Sequence, residues 1–175
     1  MTCPFSIRLL VKAGFKFVLD YCTHMRIKTS TWFEVGISYP QTQENGSQKN
    51  VTEKYAVDAM SFTEAESVVI NEIATCISGE LTIKSEAQTP YKEVFFSETS
   101  KEDNWYKAKV QFITFSEKTG KEKRSNTVYL VQGSSMAGAL KNIDAVMGGT
   151  CIDYEVVSLT KTRIIDVFEH TEEKK

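Results

Sequence analysis

One pattern occurs twice in this chain, and its recurrence narrows the possible folds more than any other feature. Trp32-Phe33-Glu34-Val35-Gly36-Ile37-Ser38-Tyr39 returns as Trp105-Tyr106-Lys107-Ala108-Lys109-Val110-Gln111-Phe112. In both, every second residue is apolar or aromatic, which is the period of a strand with one buried face. A turn-rich stretch follows each time, Glu44-Asn45-Gly46-Ser47 and then Glu117 to Lys121. Asn-Gly favours a hairpin because it tolerates the positive φ of a type I′ turn. Second strands follow, with Tyr55-Ala56-Val57-Asp58-Ala59 matching Tyr129-Leu130-Val131-Gln132-Gly133.

A helix is predicted next in each copy. Ser61 reads as its N-cap, with Glu64 completing a capping box ahead of Phe62, Ala65, Val69 and Ile73 at helical spacing. In the second copy Ser135 caps a face made of Met136, Ala139, Leu140, Ile143, Val146 and Met147. Gly148-Gly149 stops that helix, and Gly79 lies just past the first. Extended structure returns at Glu80-Leu81-Thr82-Ile83 and Asp153-Tyr154-Glu155-Val156. Each copy then closes on a short apolar segment, Glu93-Val94-Phe95 and Asp166-Val167-Phe168. The expected fold is therefore α+β: a tandem duplication of a β-β-α-β unit, with mainly antiparallel sheets each covered by one helix. The units span 31–97 and 105–169, joined by a polar linker at 98–104 and followed by a charged tail at 170–175. One unit alone has too few strands to be stable, so the two are expected to pack with their sheets facing or merging.

Composition excludes several classes. With 41% apolar and 25% charged residues and a formal net charge of −2, the chain can bury a core and is no general polyanion binder. Cys3, Cys22, Cys76 and Cys151 make no metal or redox spacing, and fit free thiols in a cytoplasmic protein. His24 and His170 lie outside the periodic segments, so neither a Cys/His pair nor a zinc site is expected. Residues 1–30 form a leader whose Arg8, Lys12, Lys16 and Asp20 recur every four residues, breaking any run long enough to span a bilayer. Translation starting at Met25 is the first reading of this leader. A terminal extension packed on the domain is the second, and an amphipathic membrane-surface helix the third. The two Asn-x-Ser/Thr triplets carry no weight without a secretion signal.

Several blocks resemble a domain-of-unknown-function family of short proteins found mainly in Bacteroidetes. They are Trp32-Phe33-Glu34, the run Val57 to Glu66, Trp105 to Val110, Ala139-Leu140-Lys141-Asn142 and Asp166-Val167-Phe168. The resemblance covers roughly residues 31–169 and implies a cytoplasmic bacterial or phage-borne protein. It carries no activity and no catalytic residue.

Candidate binding residues are few. Strand alternation puts Trp32 on the face opposite Phe33, Val35 and Ile37, and puts Trp105 with Lys107, Lys109 and Gln111. An aromatic among lysines on a polar sheet face is how single-stranded nucleic-acid binders stack bases. The competing role is packing at a seam between the copies. The second hairpin adds Lys121, Lys123 and Arg124, which could grip phosphates or be plain solvated surface. Glu64 and Glu66 suit helix capping and the dipole. No paired acids, Gly-rich phosphate loop or nucleophile elbow occurs, so no cofactor and no catalytic residue is expected. The leading expectation is a non-enzymatic binding module with a protein partner or a second copy. The alternative is single-stranded nucleic-acid binding through Trp105, Lys107, Lys109, Lys121, Lys123, Arg124 and Trp32. A small enzyme whose polar residues converge only in three dimensions is the third.

Overall fold

The computed structural model describes residues 30–44, 46–77, 80–98, 102–115, 120–150 and 152–170. The leader through residue 29, Asn45, Gly79, Lys118, Thr119 and the tail at 171–175 lie outside them. Eight strands and two helices are present among the described residues: β1 (Thr31–Thr42), β2 (Gln48–Ala59), α1 (Phe62–Ala74), β3 (Thr82–Gln88), β4 (Tyr91–Phe95), β5 (Asn104–Phe115), β6 (Glu122–Gly133), α2 (Met136–Met147), β7 (Asp153–Lys161) and β8 (Ile164–Phe168).

The α+β fold with two similar units follows from the alternation in the strands. Phe33, Val35 and Ile37 of β1 and Tyr55, Val57 and Ala59 of β2 pack against Ala65, Val69 and Ile73 of α1. Tyr106, Ala108 and Val110 of β5 and Tyr129 and Val131 of β6 pack in the same way against Ala139, Ile143 and Met147 of α2. The helix starts agree with their predicted caps. Ser61 Oγ accepts from Glu64 N at 3.2 Å, and Glu64 Oε2 reaches back to Met60 N at 2.8 Å. Ser135 Oγ accepts from Gly138 N at 3.1 Å. The apolar face read for α2 is too wide, because Met136, Leu140 and Val146 remain exposed. Phe62 of α1 is also exposed, with its ring edge on Phe33.

Closure of the sheets is where the sequence is silent and the structure is specific. The strand orders are β3-β1-β2-β8 and β4-β6-β5-β7. Each closing strand has left its own unit for the other sheet. β8 pairs parallel with β2, and β4 pairs parallel with β6. Their phenylalanines mark the exchange: Phe168 stacks on Tyr55 at 5.5 Å between ring centroids, and Phe95 on Tyr129 at 4.9 Å. The crossings are built alike. The Thr89 hydroxyl donates to Trp32 O and the Thr162 hydroxyl to Trp105 O, both at 2.9 Å and both across 57 residues. Their backbone N–H groups donate to the same carbonyls. Units 31–97 and 105–169 are thus successive along the chain but interlocked in space.

The sheets meet face to face through a third cluster of Trp32, Ala56, Tyr91, Val94, Trp105, Leu130, Ile164 and Val167. The layers run helix, sheet, sheet, helix, with the middle contact made by both tryptophans and both exchanged strands. His170 follows β8 back to the first unit, where its Nδ1 lies 3.1 Å from Glu64 at the start of α1.

Candidate functional site

The residues singled out from sequence do not form one surface. Trp105 is 2% exposed and Trp32 3%, both inside the seam between the sheets. The face that the nucleic-acid alternative needs is taken up by the opposite sheet, so neither ring presents a face to a base. Register puts Lys107, Lys109 and Arg124 on the same side of the β5–β6 hairpin as Trp105. Lys107 Nζ lies 5.7 Å from the centre of the Tyr91 ring, whose hydroxyl donates to Glu34 at 2.6 Å. Burial, and then the Glu34 carboxylate, push the Tyr91 phenol far above its ordinary range. Arg124 is held by Glu122 at 2.7 Å and by Gln111 at 3.3 Å. Lys123 opposes Thr114 on the helix side of the sheet, and Lys121 precedes β6. The cations are therefore divided between two faces, and two of the three sharing a face already have partners.

A different feature stands out at the sheet edges. β3 and β7 are equivalent edge strands, one in each sheet. Both carry a one-residue bulge: Gly36 and Ile37 pair with Ser85 and Ile83, leaving out Lys84, while Lys109 and Val110 pair with Ser158 and Val156, leaving out Val157. An edge strand invites pairing with another chain, and a lysine on a bulge is a common guard against it. β3 keeps that guard in exposed Lys84. β7 has no such guard, for Val157 stands in the same place and is 49% exposed. The five residues Val156 to Thr160 carry no charge at all. β3 has seven residues and β4 and β8 five each, so β7 with nine is the longest edge in the described fold.

A scan of the chain against family models matches residues 31–170 to DUF4494, a domain of unknown function. The chain belongs to the DUF4494 family. No curated protein and no solved structure matches it. Among the described residues the match takes in every strand and helix, from the start of β1 to the residue that meets Glu64.

Two acid sites in the DUF4494 domain were invisible in sequence, because their members lie far apart along the chain. Glu66 of α1 is a close neighbour of Glu86 of β3, and burial followed by the Glu66 carboxyl pushes Glu86 upward. Among the described residues no group of three or more His, Cys, Asp or Glu could hold a metal ion. The second site lies at the end of the stretch read as a linker, 98–104. Glu102 is buried there. Its carboxylate accepts from Asn142 Nδ2 at 2.8 Å and from the Ser134 hydroxyl at 3.3 Å, while its carbonyl accepts from Gln132 Nε2 at 2.6 Å. The Ser97 hydrogen bond, helped by those of Asn142 and Ser134 and opposed by burial, holds the carboxyl below its ordinary range.

A group with a depressed folded pKa stabilises above its unfolded pKa, and that stability is lost as pH falls through the folded value. Glu102→Gln is therefore expected to lower unfolding free energy by about 2 kcal/mol near neutrality, the size of a lost charge-assisted hydrogen bond. The difference should shrink below the ordinary carboxylate range. Urea unfolding of both proteins at neutral and strongly acid pH checks this; a deficit that stays constant with pH would show that shape, not charge, matters at Glu102.

Among the described residues no helix is long and apolar enough to cross a membrane.

Proposed function

We propose that this DUF4494 protein is a non-enzymatic binding module that takes up an extended segment of a protein partner along β7. The observation that carries the reading is an edge without a guard: exposed Val157 sits where the equivalent edge has Lys84. Strand addition draws affinity from main-chain hydrogen bonds and specificity from the alternate side chains. Val157 offers such a contact, flanked by uncharged Val156 and Ser158. The exposed thiol of Cys76 fits a reducing compartment, and we place the protein in the cytoplasm.

Binding of single-stranded nucleic acid is the second reading, supported by Lys107, Lys109 and Arg124 sharing one hairpin face. It would have to work without a stacking platform, since both tryptophans are buried.

Capture from host-cell lysate on immobilised protein tests the first reading. Wild type should retain a protein partner that Val157→Lys retains at least about tenfold less, because a buried interfacial lysine costs more than the roughly 1.4 kcal/mol of a tenfold change. Equal recovery on both would remove β7 from consideration.

A further inference from the structure

We propose that Glu66 and Glu86 form a proton-operated clasp, which holds the edge strand β3 against α1 when one proton lies between them and releases it when none does. Register puts Glu86 opposite Val35, on the face of the first sheet that α1 covers. Glu66 follows the buried Ala65 of α1 and is a close neighbour of Glu86. Glu86 Oε1 is buried, and among the described residues it meets no hydrogen-bond donor. A carboxylate oxygen out of water needs a donor, and two ionised carboxylates side by side supply none. One proton placed between them supplies it and removes their repulsion. Burial, and then the Glu66 carboxyl, accordingly raise Glu86 above the ordinary carboxylate range. Among the described residues, Glu66 is the charged group that acts on Glu86. Glu34 of β1 lies on the opposite face with Lys54 and Tyr91. Glu64 at the start of α1 is held by Met60 N and His170, and Glu72 falls on the other flank of the helix. Lys84 of β3 stands exposed on the bulge.

The other unit shows that the fold does not require acids here. Leu159 of β7 pairs with Ala108 as Glu86 pairs with Val35, and Leu140 follows Ala139 as Glu66 follows Ala65. Leu159 packs against the second core. Leucines at these positions gain from burial at every pH, whereas the carboxyls escape its cost only while a proton is present. A local choice that costs stability marks a functional or strained site. β3 is an edge strand whose single neighbour is β1, so it can open while the rest of the sheet stays paired. A group whose folded pKa is raised stabilises fully below its unfolded pKa, and that stability is lost as pH rises through the folded value. β3 is therefore held in mild acid and loosened toward alkaline pH. This clasp is independent of strand addition at β7.

Hydrogen exchange of the full chain, read residue by residue at about pH 5 and about pH 8, tests this. Protection factors of the β3 amides are expected to fall at least about tenfold across that range. Those of β7, which has leucine in place of Glu86, should stay within about threefold. Glu86→Gln cannot ionise and carries its own donor. It should keep the mild-acid protection of wild type, within about threefold, at both pH values. The double variant E66L/E86L copies Leu140 and Leu159 of the other unit and should do the same, which separates the charge of the pair from its shape. Protection of β3 that is equal at both pH values in wild type overturns the clasp. A fall that β7 shares belongs to the whole domain and overturns it too. So does a fall that persists in E86Q or in E66L/E86L, since neither variant retains the two carboxyls.

Discussion

Trp105→Ala is expected to remove about 3–5 kcal/mol of folding stability, the range for deleting a large buried aromatic side chain. Trp105 is among the largest fully buried side chains of the domain and sits where the two sheets touch. The ring of Phe96 stands edge-on to it at 5.5 Å, and Leu130 and Tyr91 share its cluster. Truncation leaves a hole between two rigid sheets, and such a site collapses poorly. Since domains of this size hold only about 5–15 kcal/mol in total, the variant should unfold at a much lower urea concentration. Equilibrium unfolding followed by circular dichroism measures the change. A loss below about 1 kcal/mol would show that Trp105 is no part of the seam, and would return it to the list of surface binding residues.

Ending the chain after Arg163 is expected to unravel the first sheet and not, in the first instance, the second. β8 is the last element in sequence, yet it lies beside β2, with Tyr55, Ala56 and Val57 paired to Asp166, Val167 and Phe168. The truncation exposes the seam through lost Ile164 and Val167, and bares Tyr55 where Phe168 stacked. Each such side chain is worth about 1.5–3 kcal/mol when buried, so three approach the whole stability of a domain. Hydrogen exchange read residue by residue locates the damage. Amides of β2 should lose protection first, with β5 and β6 following only as the seam opens. Protection lost first in β5–β6 would mean that β8 belongs with its own unit after all. Where the truncated chain is insoluble, Val167→Ala offers a milder version of the same test.

Both expectations turn on contacts that link distant parts of the chain, and these are the contacts that pattern reading does not supply. The strand faces carrying Phe33, Val35, Ile37, Tyr106, Ala108 and Val110 were legible, because alternation is a local property of the backbone. The caps at Ser61 and Ser135 were legible for the same reason. The opposite strand face was misleading. Its polar members Glu34, Lys107 and Gln111 suggest solvent, while its root at Trp32 and Trp105 packs against another sheet. A period of two separates faces but does not say what lies beyond each one.

The candidate docking edge shows the same limit from another side. Lys84 and Val157 are in plain view in the two copies, but nothing local marks them as bulge residues on edge strands. That status depends on which strands have neighbours, and so on where β4 and β8 go. The hairpin cations suggest one patch because they are close in sequence. Strand alternation then sent Lys123 to the face opposite Arg124, and Glu122 and Gln111 engaged the latter.

The recurrence of Trp32–Tyr39 as Trp105–Phe112 thus determined a good deal on its own: two similar units, their element order, their helix starts and one buried face for each hairpin. Those features follow from periodicity, turn chemistry and capping, which act over a few residues. Tertiary structure alone decided that the closing strands change places, that the tryptophans join the sheets, and that Glu102 is an anchor within the linker. It also decided which edges remain open. The physical reason is that a strand's hydrogen-bonding partner and the cover over its second face are set by competition among all the elements for burial, a balance that no single segment contains.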